Sequence, residues 1–366
     1  MNGRIIAAGL TAVALAVWAE FWILSRTTSY EVDPLVASAR IEAERARIEA
    51  RDGRRPVLYG ESIAGEAWEG YEAAFALVEA DEDLEPQLFP VNRAELTPEE
   101  LRQLVDSHAQ TLAQVRRGAH CERARGPMLR PGPQPLRVPG LVTTRTLANL
   151  AVAHALSLIA DEQPVRAVET LLDAVQLGRD VANEPVMIQE MMGCAVLDLL
   201  LAEIASPQIF DALTAEARTR LAQGLHVLDE NMPRVGDSIH GDVLFLADQT
   251  DIKGMEFDYF ARLEHADRVL AAARKSWSVC DTFLTENDDA GCVPILVSRA
   301  AHSVIKQRLW TIARIRIQRM ATEHSLGWDV PELADPFGGT LQHKIEDGTA
   351  TFWSNHPEAE GLTLTR

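Results

Sequence analysis

The sequence predicts a mainly α-helical protein: an N-terminal transmembrane helix, then an irregular helical bundle or helical-repeat-like (α-solenoid-like) body, closed by a small C-terminal β-hairpin. Three observations predict it. An apolar run from Ile5 to Trp18 follows Arg4 and resumes as Phe21 to Leu24. The middle of the chain repeats apolar residues at intervals of three and four, the period that lines one face of a helix. Past Pro331 come two short β-prone stretches on either side of Asp347-Gly348, a turn-forming pair.

The first element, residues 1–26, reads as a membrane anchor, with the ~20 apolar residues needed to cross a hydrocarbon core. Small-residue sites at Ala12-Val13-Ala14 and Ala14-Leu15-Ala16 also fit a cleaved signal peptide, but the apolar stretch runs on past both. Glu20, between Trp18 and Trp22, is expected at the headgroup level, or paired with another anchor. Arg4 on the short side places the amino terminus in the cytoplasm of a bacterial inner membrane and the body in the periplasm or otherwise outside the cytoplasm.

Residues 27–56 follow as a stalk. From Pro34 to Arg51 helix formers carry opposite charges at helical spacing, as in Glu42 with Arg45 and Glu44 with Arg47, so a solvated helix is expected. Residues 57–125 form an N-terminal helical part. Glu61 to Glu100 holds twelve carboxylates and one arginine, whereas Arg102 to Arg145 holds eight arginines and two carboxylates, so the two stretches are expected to pair. Ala64, Trp68, Tyr71 and Phe75 mark one helix face. Thr97-Pro98-Glu99-Glu100 is a helix start with a capping box, and its helix is expected to run on through Leu112 and Val115.

Residues 126–140, with five prolines, read as an irregular connection to a helical body over 141–330. Helices are expected at Thr143–Ala160, Gln163–Val181, Val186–Ile204, Thr214–Leu228 and Ile295–Glu323. In the last, the arginines are expected to pair with carboxylates elsewhere in the body. Residues 331–366 are the hairpin tail, with strands at Leu341–Ile345 and Thr349–Trp353.

The formal charge of -19, from 35 basic and 54 acidic residues, disfavours binding to phosphate backbones, so no nucleic-acid partner is expected. Motifs for zinc, nucleotides or a nucleophile elbow do not occur, and no cofactor or metal is expected. The acidic stretches Asp248–Asp251 and Glu286–Asp289 lack the calcium-loop pattern and read as solvated turns. Ser238, His240 and Asp242 look catalytic only in the text: on a helix His240 points away from the other two, and satisfied surface residues are expected. His154 and His302 read as core or boundary residues and not as ligands. Among four cysteines, Cys280 and Cys292 bracket a polar loop and are a possible disulfide, Cys194 reads as a small buried side chain, and Cys121 is either free or paired with it.

Asp335-Pro336-Phe337-Gly338-Gly339 with Leu341, Asp347-Gly348 and Phe352 resembles the DPF-G-type tail of uncharacterised bacterial membrane-anchored helical proteins, and more distantly the tail of type II secretion pseudopilins. The stretch Leu171–Asp180, with Met187–Leu201, resembles the same helical proteins. The ending after Trp353, SNHPEAEG, replaces the glycine- and aspartate-rich calcium-binding ending of pseudopilins. The resemblance supplies no reaction. The leading expectation is a membrane-anchored cell-envelope structural or interaction protein with an envelope protein partner. The alternatives are an envelope enzyme of hydrolase type, its site scattered over the helices, and an accessory part of a secretion or pilus-like machine.

Overall fold

The computed structural model describes residues 34–81, 83–126, 140–232, 237–249, 256–286, 292–346 and 348–366. Among these no helix is long and apolar enough to cross a membrane. The expected anchor, with Glu20, lies outside them, as does most of the proline-rich connection. What is described is mainly helical, with a small C-terminal sheet.

Helix α1 (Pro34–Glu49) is followed by strand β1 (Ile63–Glu66), α2 (Ala67–Glu79), α3 (Leu84–Leu88), α4 (Pro90–Glu95), α5 (Pro98–Ser107), α6 (Ala109–His120) and β2 (Cys121–Arg123). Then come α7 (Leu141–Ala160), α8 (Pro164–Ala182), α9 (Met187–Ile204), the single turn α10 (Pro207–Phe210), α11 (Ala215–Glu230), α12 (Asp237–Gln249), α13 (Glu256–Ala273), α14 (Trp277–Glu286) and α15 (Cys292–Ser325). Strands β3 (Gln342–Glu346), β4 (Thr349–Trp353) and β5 (Thr363–Thr365) close the chain.

Local chemistry sets many of these boundaries. Proline at the first helical position opens α5, α8 and α10, where its missing N–H costs nothing. Thr97 caps α5 with the expected capping box: its hydroxyl accepts from Glu100 N–H, and Glu100 accepts from Thr97 N–H at 2.8 Å. The helix does not run on to Val115, however. It stops at His108, whose ring is held by Leu104 O and Asp81, and α6 starts anew. Ala64 belongs to β1, which pairs in parallel with β2, so the first buried helix face begins only at Ala67.

The acidic and basic stretches meet as expected, through Glu85–Arg145 at 2.5 Å and Glu69–Arg117 at 3.5 Å. Helices α2 and α6 cross closely at Gly70 and Gly118. A methyl group on Gly118 would stand 2.4 Å from the Tyr71 ring, so only glycine lets the two backbones approach.

Helix α8 packs on α6, α7, α9 and α11, and α15 packs on α9, α11 and α13. Contacts between helices so distant in sequence make the body an irregular bundle, because a solenoid repeat touches only its neighbours. Around α8 lie Leu171, Leu172, Val175, Leu197, Leu200 and Leu225, while Trp68, Tyr71, Leu84 and Leu147 form a second core beneath α2. A third joins α13, α14 and α15 to Phe337, Leu341 and Phe352 of the tail. At the α8–α9 crossing a methyl on Gly193 would fall 2.2 Å from Ala182 N, inside any permitted contact.

Two expectations need correction here. The helix expected as a solvated stalk packs on α12 and α13, burying Ala37, Ile41, Glu44 and Ile48. The tail hairpin is a three-stranded antiparallel sheet in the order β3-β4-β5, since Thr363–Thr365 returns to pair with β4. Gly348, at φ +77°, supplies the left-handed residue of the β3–β4 turn, and Asp347 lies outside the described residues.

Candidate binding cleft

Five helices converge on a cleft of about 900 Å³. Helix α1 contributes Arg40, Glu44 and Arg47, whose spacing of four and three puts them on one face. His240 comes from the first turn of α12. Asp267, Leu270 and Ala273 follow a three-residue step along α13, and Arg274 and Lys275 stand in the bend after it. Trp277 and Cys280 come from α14, and Ile305 and Leu309, one turn apart, from α15. Ser276 closes the α13–α14 bend by accepting the Val279 N–H on its hydroxyl at 3.2 Å.

The polar groups on one wall are tied to one another. Arg40 donates to Asp267 Oδ2 at 2.7 Å and reaches Glu44 at 3.5 Å. Arg47 pairs with Glu44 at 2.6 Å. His240 sets Nε2 3.0 Å from Asp267 and Nδ1 3.4 Å from Glu44. Glu44, buried beneath this ring, is thus neutralised by its neighbours, as a buried carboxylate must be. Arg274 and Lys275 are exposed, and among the described residues neither has a carboxylate partner. The floor is apolar, from Leu270, Trp277, Ile305 and Leu309, and Trp277 is held edge-on by Phe337 at 5.8 Å. Cys280 lies in this floor, and burial pushes its thiol up to about 11, so it is not a thiolate nucleophile at neutral pH.

Ser238, His240 and Asp242, adjacent in the text, separate in space. Ser238 donates its hydroxyl to Glu190 of α9, which is also bound by Arg308 Nε at 2.7 Å. His240 faces the cleft, and Asp242 accepts from the Met187 backbone, with desolvation pushing its carboxyl up to about 6. They form no triad, and they are not surface residues either: Ser238 and His240 are buried. His302 meets Asp281 at 3.0 Å and packs on Trp277. His154 is pushed below its ordinary value, first by burial and then by Arg166.

Cys121 and Cys194 are free and buried, so they do not pair with each other, and Cys280 is buried as well. The Cys292 side chain, needed for the expected bridge to Cys280, lies outside the described residues. So do the side chains of Asp248 and Glu286, and the residues Thr250, Asp251 and Asn287 to Asp289.

Two further polar clusters lie against α8, and sequence reasoning missed both. Asp180 accepts from Tyr71 Oη at 2.8 Å, Arg55 at 2.9 Å and Gln176 at 3.1 Å. Two turns earlier, Asp173 accepts from Tyr59 Oη at 2.8 Å and lies 3.3 Å from His120 Nε2. Burial pushes Asp173 above the usual carboxylate range, and the bond to Asp173 raises His120. Side chains fill the space around both, so these clusters fasten the 51–66 segment and α2 to α8 and leave no room for a substrate. Two carboxylates seven residues apart, set among the leucines, valines and alanines of Leu171–Ala182, were the available signal.

Compared with protein-family models, with curated proteins and with solved structures, the chain matches none.

Proposed function

We propose that the chain is a membrane-anchored binding protein of the bacterial cell envelope, whose helical body recognises a partner through the cleft between α1, α13, α14 and α15. The observation that carries this reading is the division of the cleft into an internally paired wall, an apolar floor and two exposed cations at the mouth. An apolar centre inside a polar rim is the anatomy of a recognition site. Catalysis needs a nucleophile or base held toward open space, whereas here the ionisable wall groups face one another and the one thiol is buried. The run Ile5 to Leu24 supports the anchor, and Arg4 supports a body outside the cytoplasm.

The test is purification of the full chain from gently solubilised membranes, with mass spectrometry of both the proteins and the small molecules that accompany it. A defined companion, lost when Arg274 and Lys275 are both changed to Glu, is the expected result. A companion retained by that variant, or a solitary protein, would overturn the cleft as its recognition surface.

A further inference from the structure

The cleft carries more positive charge than its own pairing consumes. Among its described lining residues, Arg40, Arg47, Arg274 and Lys275 stand against Glu44 and Asp267, an excess of two positive charges in a protein whose formal charge is -19. Both carboxylates are already engaged on the α1 wall, so the excess is concentrated at Arg274 and Lys275, where the cleft opens. Arg40 is within the same lining: its bond to Asp267 joins side chains that are 30% and 44% exposed, so Arg40 can turn from Asp267 to a stronger anion at little cost, the net excess staying at two.

We propose that this cleft binds a phosphomonoester with an apolar body, the phosphate lying between Arg274 and Lys275 and the apolar part on Leu270, Trp277, Ile305 and Leu309. The proposal rests on the recognition reading above and names its ligand class. Charge decides the head group. A phosphomonoester carries roughly −1.5 to −2 at neutral pH and matches the excess of two, whereas a carboxylate or a phosphodiester carries one charge and leaves a cation uncompensated. Guanidinium groups also take phosphate oxygens in pairs, which suits Arg40 and Arg274.

Size and lining decide the rest. A volume of about 900 Å³ lies at the upper end of the roughly 300–1,000 Å³ typical of sites for small organic ligands. Inorganic phosphate would leave the apolar floor wet, and a long polyanion would be repelled by a protein whose formal charge is -19. The same head group can arrive on a soluble ester or on a lipid, phosphatidic acid being the lipid that bears a phosphomonoester.

The experiment is calorimetric titration of the full-length protein in a neutral detergent with 1-naphthyl phosphate, and with 1-naphthoate as the singly charged analogue on the same ring. In parallel, the protein is bound to nanodiscs containing phosphatidic acid or phosphatidylglycerol. The expected result is saturable binding of naphthyl phosphate, of phosphatidic acid, or of both, at least tenfold tighter than the singly charged counterpart. Changing Arg274 and Lys275 to Glu weakens that binding at least tenfold. Both residues are exposed, so the variant keeps its fold, which its thermal melt verifies. Binding of the naphthyl ester alone assigns a soluble ligand, and binding of phosphatidic acid alone assigns a lipid. Binding of neither overturns the proposal, as does equal binding of the singly charged probe or unchanged binding by the variant. If the membrane purification recovers a companion sensitive to the same variant while both titrations fail, the recognition reading stands and the phosphomonoester is wrong.

Discussion

Two ion pairs of equal length hold this protein together in different ways. Arg308 of α15 meets Glu190 of α9 at 2.7 Å with side chains 1% and 2% exposed. Arg40 of α1 meets Asp267 of α13, also at 2.7 Å, but far more exposed. The first pair is completed by the Ser238 hydroxyl on Glu190 and by Ala182 O, which accepts from Arg308 at 2.8 Å. The second faces a cleft and can be replaced by water. Distance alone therefore says little about what a pair contributes. Burial makes one a fixed joint and leaves the other open to exchange.

The sharpest way to break the comparison is to cut each joint. Arg308→Ala leaves Glu190 buried and half-partnered, and is expected to cost about 3–5 kcal/mol in urea unfolding. A loss below about 1 kcal/mol would show that the buried pair behaves like an exposed one.

A second prediction concerns a half-buried carboxylate with weaker partners. Asp198 of α9 is pushed up to about 6 by desolvation, despite Arg314 at 3.9 Å and an amide bond from Gln307 at 2.6 Å. The folded form holds its proton to higher pH than the unfolded chain does. Its contribution to stability is thus fully present below the unfolded value, near 3.8, and is lost as pH rises through about 6. The difference amounts to roughly 3 kcal/mol at 1.36 kcal/mol per pH unit. Asp198→Asn should flatten that part of the curve of melting temperature against pH. An unchanged slope between pH 4 and about 6 would show that Asp198 is solvated in the fold.

The smallest effect belongs to the cleft. Arg40→Ala is expected to cost no more than about 1 kcal/mol, and a loss of several would mean that the α1 wall is structural and not exchangeable.

Much of the helical architecture is legible in the text because its signals are local. Thr97-Pro98, Pro164 and Thr214 each start a helix within one residue of the expected place, and Cys194 is buried as its apolar surroundings imply. What was illegible depends on partners far along the chain. Burial of α1 requires α12 and α13, some 200 residues away, and residues such as Arg40 and Glu44 look like any solvated helix face until those partners arrive. Strand β5 has three residues and no turn pair of its own, so only its pairing with β4 reveals it. The cleft was missed for the same reason. Ser238, His240 and Asp242 drew attention by adjacency, yet about 100° of rotation per residue sends neighbours on a helix to different surroundings. The groups that do converge come from five helices and share no local pattern.

Helix α15 runs for 34 residues, about 51 Å, and packs on α9, α11, α13, α14 and the C-terminal sheet along the way. Ile305 and Leu309 face the cleft, Arg314 and Arg316 grip α9 and α11 one to three turns later, and the same helix backs strands β4 and β5. It works as a tie-beam. A load applied beside Ile305 passes straight into the C-terminal tail, which shares that stretch of core and is tied to Lys306 through Glu358, and along one continuous member to the strands it backs.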